Sequence, residues 1–200
     1  ISTRWVGQAG TTATLPVDHP TTSPFRIEQP PGEAIEAGEK IEPATNVVSL
    51  SYFATAQTPL VEGRLFTESD SEGAEPVAII NDVAMRRHFG GSAGGRRIVD
   101  AKGTSVGIVG VVRSGRYRAM QELPAPMLYR PLAQEYRPRM HLAIRLLAPA
   151  TEETFKRLAP QVTAGTLRLV RMATLDEHLS KAMVMDRFVI ALVSACGLMA

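Results

Sequence analysis

The feature that most restricts the fold is an uninterrupted apolar run, Val77-Ala78-Ile79-Ile80, followed directly by Asn81. A run of this kind is typical of a strand buried in the interior of a sheet. Asn81 is a favourable helix N-cap and Gly90-Gly91 is a favourable helix stop. The sequence therefore predicts a buried strand that passes into a short helix from Asn81 through Phe89.

Further short strands are predicted around this unit. A hairpin is expected from Arg97–Val99 and Val106–Val112, with its turn at Asp100–Gly103. The other strands predicted here are Phe25–Glu28, Asn46–Leu50 and Met127–Tyr129. Two segments rich in Gly, Pro, Thr or Glu are predicted to be loops, Gly7–Pro24 and Pro30–Pro43.

The last third of the chain alternates strands and helices. Strands are predicted at His141–Leu146 and Leu167–Val170, and Thr151 can cap a helix between them that has one apolar face. Thr174 and Glu177 form a capping box, which starts a second helix that runs through Arg187. Strand, helix, strand, helix at this spacing indicates an α+β or α/β unit.

The composition excludes several classes of function. A single cysteine, Cys196, cannot form a disulfide within the chain or a cysteine-based metal site. No two of the four histidines fall within one helical turn, so no metal site is predicted. The formal net charge of +2 is too small for a strongly cationic nucleic-acid-binding domain. No cofactor motif and no signal peptide are found.

Charge is unevenly distributed along the chain. Residues 28–75 carry ten acids against two bases, whereas residues 86–118 carry eight bases against one acid. The simplest interpretation is two solvated faces that also attract each other. The alternative is a basic surface for an anionic partner or for lipid head groups.

Three motifs resemble catalytic or binding sites. Gly103–Gly107 matches G-x-S-x-G, but a nucleophile elbow needs a helix after Ser105, and a strand is predicted there. Gly90–Arg97 is glycine-rich but lacks the Lys-Ser/Thr of a P-loop. Asp176, His178 and Ser180 are too close together on one helix to form a relay. The sequence therefore predicts no enzyme, and a hydrolase that uses Ser105 stays only as a motif match.

An ordered series of segments resembles the MacB-like periplasmic core domain of ABC transporter permeases, the MacB/FtsX group. Within that group the series is most similar to the acidobacterial duplicated orphan permeases. The resemblance covers roughly residues 22–200. The segments are Ser51–Phe53, Pro59–Arg64, Phe66, Asp70, Pro76–Asn81, Arg86–Phe89, Gly95–Ile98, Ile108–Val112 and Leu128–Leu132.

The resemblance implies an α+β fold of two subdomains, inserted between the first and second transmembrane helices. A discontinuous, porter-like βαβ subdomain would comprise residues 1–48 and 138–183. A mainly β subdomain with short helices would be inserted at residues 49–133. The apolar residues 187–200 would start a transmembrane helix. Both ends of the sequence are interpreted as edges of a longer chain.

The resemblance also implies a function and partners. The chain would be the periplasmic part of a bacterial inner-membrane permease and would transmit ATP-driven motion for efflux or extraction. The partners would be a cytoplasmic ABC ATPase, a second permease copy in a homodimer or pseudo-dimer, and a periplasmic adaptor. The alternative is a binding module that docks an adaptor or a peptide- or lipid-linked substrate through Arg113, Arg116, Arg118, Arg130, Arg137 and Arg139.

The residues expected to matter have structural roles. The motif residues are expected to anchor a helix, form turns and cap the strand-to-helix junction; they are Tyr52, Phe53, Gly63, Arg64, Asp70, Asn81, Gly95, Tyr129 and Pro131. The helix from Thr174 to Arg187 is expected to act as a lever towards the membrane, and its marked positions are Thr174, Glu177, Leu179 and Arg187.

Overall fold

The computed structural model describes residues 6–13, 21–28, 39–114, 125–137, 139–146 and 153. The chain divides into two compact units, Ile1–Arg145 and Leu146–Ala200. Nearly all of the described residues belong to the first unit.

Within the described residues, eleven strands form one mixed sheet and two short helices are present. The helices are α1, Tyr52–Thr55, and α2, Asp82–His88. The strands are β1 Val6–Thr12, β2 Thr21–Thr22, β3 Phe25–Ile27, β4 Lys40–Ile41, β5 Ala44–Val48, β6 Leu60–Gly63, β7 Val77–Asn81, β8 Arg97–Asp100, β9 Ser105–Val112, β10 Met127–Pro131 and β11 His141–Leu146.

Four strands in the order β5-β10-β7-β9 form the middle of the sheet. β7 runs parallel to β9 and antiparallel to β10, and β10 runs parallel to β5. The last residues of β7 and β9, Asn81 and Val112, therefore lie side by side at one end of the sheet. The last residues of β5 and β10, Val48 and Pro131, lie at the opposite end. We name these the Asn81 end and the Pro131 end.

Shorter strands extend the sheet on both sides of these four. β8 and β6 pair with successive halves of β9, and β3 and β4 continue the sheet beyond β8. On the other side, β1 and β2 pair antiparallel with β5, and β11 pairs with β1.

The side chains of β7 alternate between two buried cores, one on each face of the sheet. Ala78 and Ile80 belong to a mainly aliphatic core that includes Ala84 and Met85 of α2, which we name the α2 face. Val77 and Ile79 belong to a core on the other face, the α1 face. Full burial of each Val or Ile side chain contributes roughly 1.5–3 kcal/mol. The members of the α1-face core are Val48, Tyr52, Phe53, Phe66, Val77, Ile79, Val112 and Tyr129.

Most of the predicted elements among the described residues are confirmed, and the α+β class holds. The buried strand and its helix correspond to β7 and α2, the hairpin to β8 and β9, and the strand at 141–146 to β11. The turn of the hairpin is made by Asp100, whose carboxylate accepts the N–H groups of Lys102 and Thr104.

The predictions of two loops were partly wrong. The segment Gly7–Pro24 contains β1 and β2, and the segment Pro30–Pro43 contains β4. These strands have weak local signals, and they form because β5 and β3 supply the missing backbone hydrogen bonds.

The other predictions in the last third lie outside the described residues. They are the strand at 167–170, the apolar face of the helix after Thr151, and the helix from Thr174 to Arg187. The division into residues 1–48 with 138–183 and residues 49–133 stays a prediction. In the part of the chain that the structure describes, no helix is long and apolar enough to cross a membrane.

Candidate functional site

Four aromatic rings form the centre of the α1-face core. Phe53 is nearly perpendicular to Tyr52 and Tyr129, with ring centroids 5.4 and 5.1 Å apart, and Phe66 lies 6.2 Å from it. Edge-to-face pairs of this kind contribute about 0.5–1.5 kcal/mol beyond burial. α1 can reach this position because Gly10 of β1 has no side chain; a Cβ there would lie 2.8 Å from the Cα of Tyr52. The rings therefore join α1, β10 and the loop that carries Phe66.

A buried carboxylate closes the loop that carries Phe66. Asp70 is only 4% exposed, and its two oxygens accept hydrogen bonds from Nη1 and Nη2 of Arg64 at 2.7 and 2.8 Å. The backbone N–H of Thr67 donates to the same carboxylate at 2.8 Å. The Arg64 hydrogen bonds hold the pKa of Asp70 below its usual range despite burial, and Asp70 raises the pKa of Arg64. Because both carboxylate oxygens are occupied, the pair acts as a loop lock and not as a catalytic acid.

The locked loop begins where β6 touches β9, and two glycines allow that contact. The pairing of β7 with β9 skips Val109, which forms a β-bulge. The carbonyl oxygen of Val109 accepts the N–H of Arg64 at 2.9 Å. Gly63 has a φ of +73°, and a Cβ on it would lie 2.3 Å from that carbonyl oxygen. A Cβ on Gly110 would lie 2.1 Å from the carbonyl oxygen of Arg64, so both positions require glycine.

Asn81 is a hydrogen-bond hub at the Asn81 end of the sheet. Its Oδ1 accepts the N–H of Ala84, which caps α2, and also the N–H of Met127. Its Nδ2 donates to Ser114 Oγ at 3.1 Å and to the carbonyl oxygen of Ala125 at 2.8 Å. One buried amide therefore ties α2 to the residues that follow β9 and to the start of β10.

Asp82 strengthens the same junction. Its Oδ1 accepts from the N–H and the hydroxyl of Ser114, and its Oδ2 pairs with Arg86 at 3.0 Å. Burial acts to raise the pKa of Asp82, but the Ser114 hydrogen bonds and Arg86 together hold it below the usual range. The carboxylate also lies in the first turn of α2, where a negative charge is favourable.

The family of MacB-like periplasmic core domains matches residues 13–165, well over half of the chain. The chain belongs to this family. Such a domain is the periplasmic part of an ABC transporter permease; it is not an enzyme, and ATP hydrolysis takes place in a partner subunit.

Two solved structures have a similar fold. The periplasmic region of MacB from Actinobacillus actinomycetemcomitans matches with a TM-score of 0.55 and 13% identity, over 80% of this chain and 67% of that chain. A domain of a Porphyromonas gingivalis protein described as a permease matches with a TM-score of 0.54 and 16% identity, over 80% of this chain and 70% of that chain. At these identities the likeness concerns the fold. A comparison with curated proteins gives no significant match.

The two remaining motif residues of this periplasmic core domain lie in connections. Gly95 has a φ of +74° in the turn before β8, where a side chain would be strained. Pro131 ends β10 opposite Val48, and the next residue, Leu132, donates its N–H to the carbonyl oxygen of Val48 at 2.9 Å. All nine motif residues therefore lie in the packing and connections of the first unit, and they do not converge on one cleft.

Two residues that the sequence did not single out also hold this periplasmic core domain together. Glu62 of β6 accepts the N–H of Gly94 at 2.6 Å and the hydroxyl of Ser92 at 3.1 Å, which attaches the glycine-rich loop to β6. Gln134 accepts the N–H of Val77 and donates to the carbonyl oxygen of Glu75. Neither has a local sequence signal, because each contact joins residues at least 30 positions apart.

The acidic and basic segments attract each other, as the simplest interpretation of the charge pattern predicted. Arg97 pairs with Glu75 and Glu28, and the Glu75 hydrogen bond raises the pKa of Arg97. Ser105 lies in this network, donating to Glu28 and accepting from Arg97 Nε at 2.7 Å. Because Ser105 starts β9, a strand follows it, and the geometry of a nucleophile elbow is absent.

The four described basic residues of the alternative docking surface do not form one surface. Arg113 follows β9 at the Asn81 end, Arg130 lies half-buried within β10, and Arg137 and Arg139 follow the Pro131 end. Arg116 and Arg118 lie outside the described residues, as do the lever positions Thr174, Glu177, Leu179 and Arg187. Among the described residues, no group of His, Cys, Asp or Glu could hold a metal ion.

Proposed function

We propose that the chain transmits ATP-driven motion in an ABC-type permease, and that this motion expels or extracts a substrate on the periplasmic side. The observation that carries the proposal is the family match over residues 13–165. The partners would be a cytoplasmic ABC ATPase, a second permease copy and a periplasmic adaptor, and the permease would be of the acidobacterial duplicated orphan type.

A domain that passes on motion has to be stiff, and several contacts in the first unit favour stiffness. β7 is buried on both faces, the Arg64–Asp70 pair locks the loop over one face, and Asn81 ties three connections together. Closely packed cores deform little and transmit displacement.

The proposed lever is the helix from Thr174 to Arg187, which would lead to a membrane helix starting at residues 187–200. On this layout the domain divides into residues 1–48 with 138–183 and an inserted part at 49–133. The capping box of Thr174 and Glu177 supports the helix start.

The test is Leu179→Pro in the full-length permease, because proline breaks a helix interior at a cost of about 3 kcal/mol. Transport should fall to background while ATP binding by the ATPase subunit is unchanged. Leu179→Ala is the matched control, since alanine preserves the helix, and it should transport. Normal transport by Leu179→Pro would contradict the lever.

A second candidate function, docking of an adaptor, is favoured by one surface at the Asn81 end. A register shift in β6 leaves Leu60 and Val61 exposed at 42% and 47%, and Pro59 accepts the N–H of Arg113. Adjacent exposed apolar residues beside a cation suit a protein partner. Leu60→Ser combined with Arg113→Glu should abolish adaptor capture by the full-length permease; unchanged capture would exclude this surface.

A further inference from the structure

A second exposed surface lies beyond the Pro131 end of the sheet. Tyr136 is 83% exposed and Leu142 is 42% exposed. Three basic side chains lie next to them in the sequence, Arg137, Arg139 and His141. We name these five residues the basic–aromatic surface.

The charged residues of this surface are basic. Between Tyr136 and Thr151 the sequence contains no Asp or Glu. Glu135 forms an ion pair with Arg137, whereas Arg139 and His141 are exposed and form no ion pair or side-chain hydrogen bond with any residue that the structure describes. An exposed tyrosine and leucine beside the unpaired Arg139 match the interfacial layer of a bilayer, where aromatic rings sit among head groups and cations meet anionic lipid.

The sheet topology places the start of β1 on the same side of the sheet as this surface. Thr12 of β1 pairs with Val48, which pairs with Pro131, so these three residues lie in one row across the sheet. β1 begins six residues before Thr12, about 20 Å beyond that row on the side from which the chain leaves β10. On the proposed function, on which this inference rests, β1 follows the first membrane helix, so the Pro131 end would face the bilayer.

We propose that the basic–aromatic surface binds the anionic head groups of the membrane to which the permease belongs. Arg139 and His141 would contact lipid phosphates, while Tyr136 and Leu142 would enter the interfacial layer. The contact would hold the Pro131 end against the bilayer while the Asn81 end stays free for a protein partner.

The test uses co-sedimentation of the chain with vesicles of phosphatidylcholine mixed with phosphatidylglycerol, and with vesicles of phosphatidylcholine alone. The apolar residues 188–200 can bind both vesicle types, so the difference between them isolates the head-group contact. We expect binding to the mixed vesicles to be several-fold tighter and to weaken with added salt. Arg139→Glu combined with Tyr136→Ser should remove this preference.

Arg113→Glu is the matched control. Arg113 is also exposed, is at the opposite end of the sheet, and gives the same charge change as Arg139→Glu. It should retain the preference for mixed vesicles. An equal loss in both variants would show unspecific charge attraction and overturn the proposal, as would the absence of any preference in the unaltered chain.

This outcome is separable from that of the proposed function. If the unaltered chain shows no preference for the mixed vesicles but the permease transports normally, the membrane contact is excluded and the permease role is unaffected. Retained vesicle preference together with normal transport by Leu179→Pro would contradict the lever and leave the membrane contact supported.

Discussion

On the α2 face of the sheet, a seven-residue helix covers mainly aliphatic side chains, whereas on the α1 face a four-residue helix and an irregular loop cover a cluster of aromatic rings. The helix on the α2 face has regular backbone geometry, and Asn81 caps its first turn by accepting the N–H of Ala84. The loop on the α1 face has no regular hydrogen-bond pattern, so it depends on the Arg64–Asp70 pair, the Thr67 N–H and two glycines.

The difference shows two ways of closing a core over one strand. A regular helix is robust, because many small contacts share the energy. A loop closure depends on a few specific contacts. A substitution at one of these contacts should therefore lower the free energy of unfolding by more than the exposure of the substituted residue suggests. If this contrast is correct, the two faces should respond independently to mutation.

The largest effect is expected for Phe53→Ala, which should lower the free energy of unfolding by about 3–5 kcal/mol because a buried ring is lost. Ile79 shares its core with Phe53, while the adjacent Ile80 faces the other core. In double-mutant cycles measured by urea unfolding, Ile79→Ala should couple to Phe53→Ala. The effects of Ile80→Ala and Phe53→Ala on the free energy of unfolding should be additive within about 0.5 kcal/mol. Equal coupling of both isoleucines would mean that the faces are not independent.

Gly110→Ala should lower the free energy of unfolding by about 3 kcal/mol, because its Cβ would meet the carbonyl oxygen of Arg64 at 2.1 Å. Gly73→Ala is the control from the same region. Gly73 has a φ of +82° but no atom within 4 Å of its Cβ position, so only backbone strain of about 1 kcal/mol is expected. Equal losses in the two variants would show that the close approach at Gly110 is not what holds the loop.

Asp70→Asn should lower the free energy of unfolding by about 2 kcal/mol at neutral pH, because charge-assisted hydrogen bonds are lost. The loss is not larger because Arg64 is half-exposed to solvent. The pKa of Asp70 is lowered in the folded state, so its contribution is complete above the ordinary Asp pKa of about 3.9 and is lost as the pH falls below it. The difference in the free energy of unfolding between the unaltered chain and Asp70→Asn, measured by urea unfolding, should therefore become smaller below about pH 4. A gap that stays constant into acid would exclude the ion pair as its source.

The contrast between the faces also explains which parts could be predicted from the sequence. β7, α2 and the β8–β9 hairpin were predicted because their apolar runs, cap and turn are local signals. β1 was missed because its residues lack an apolar run and are ordered by pairing with β5. The loop lock has no local signal, and Arg64 and Asp70 were identified only through the family resemblance. The roles of Thr67, Gly110 and Ser114 follow from contacts that no local pattern contains.

The central claim is that this folded unit lies on the periplasmic side of a membrane permease. The most direct test is labelling of Arg113→Cys with a membrane-impermeant maleimide in spheroplasts that express the full-length permease without other cysteines. Arg113 is exposed at the Asn81 end, so we expect full labelling in intact spheroplasts, while Val106→Cys, which is buried, should react only after denaturation. Labelling of Arg113→Cys that appears only after lysis would place the unit in the cytoplasm and contradict the account.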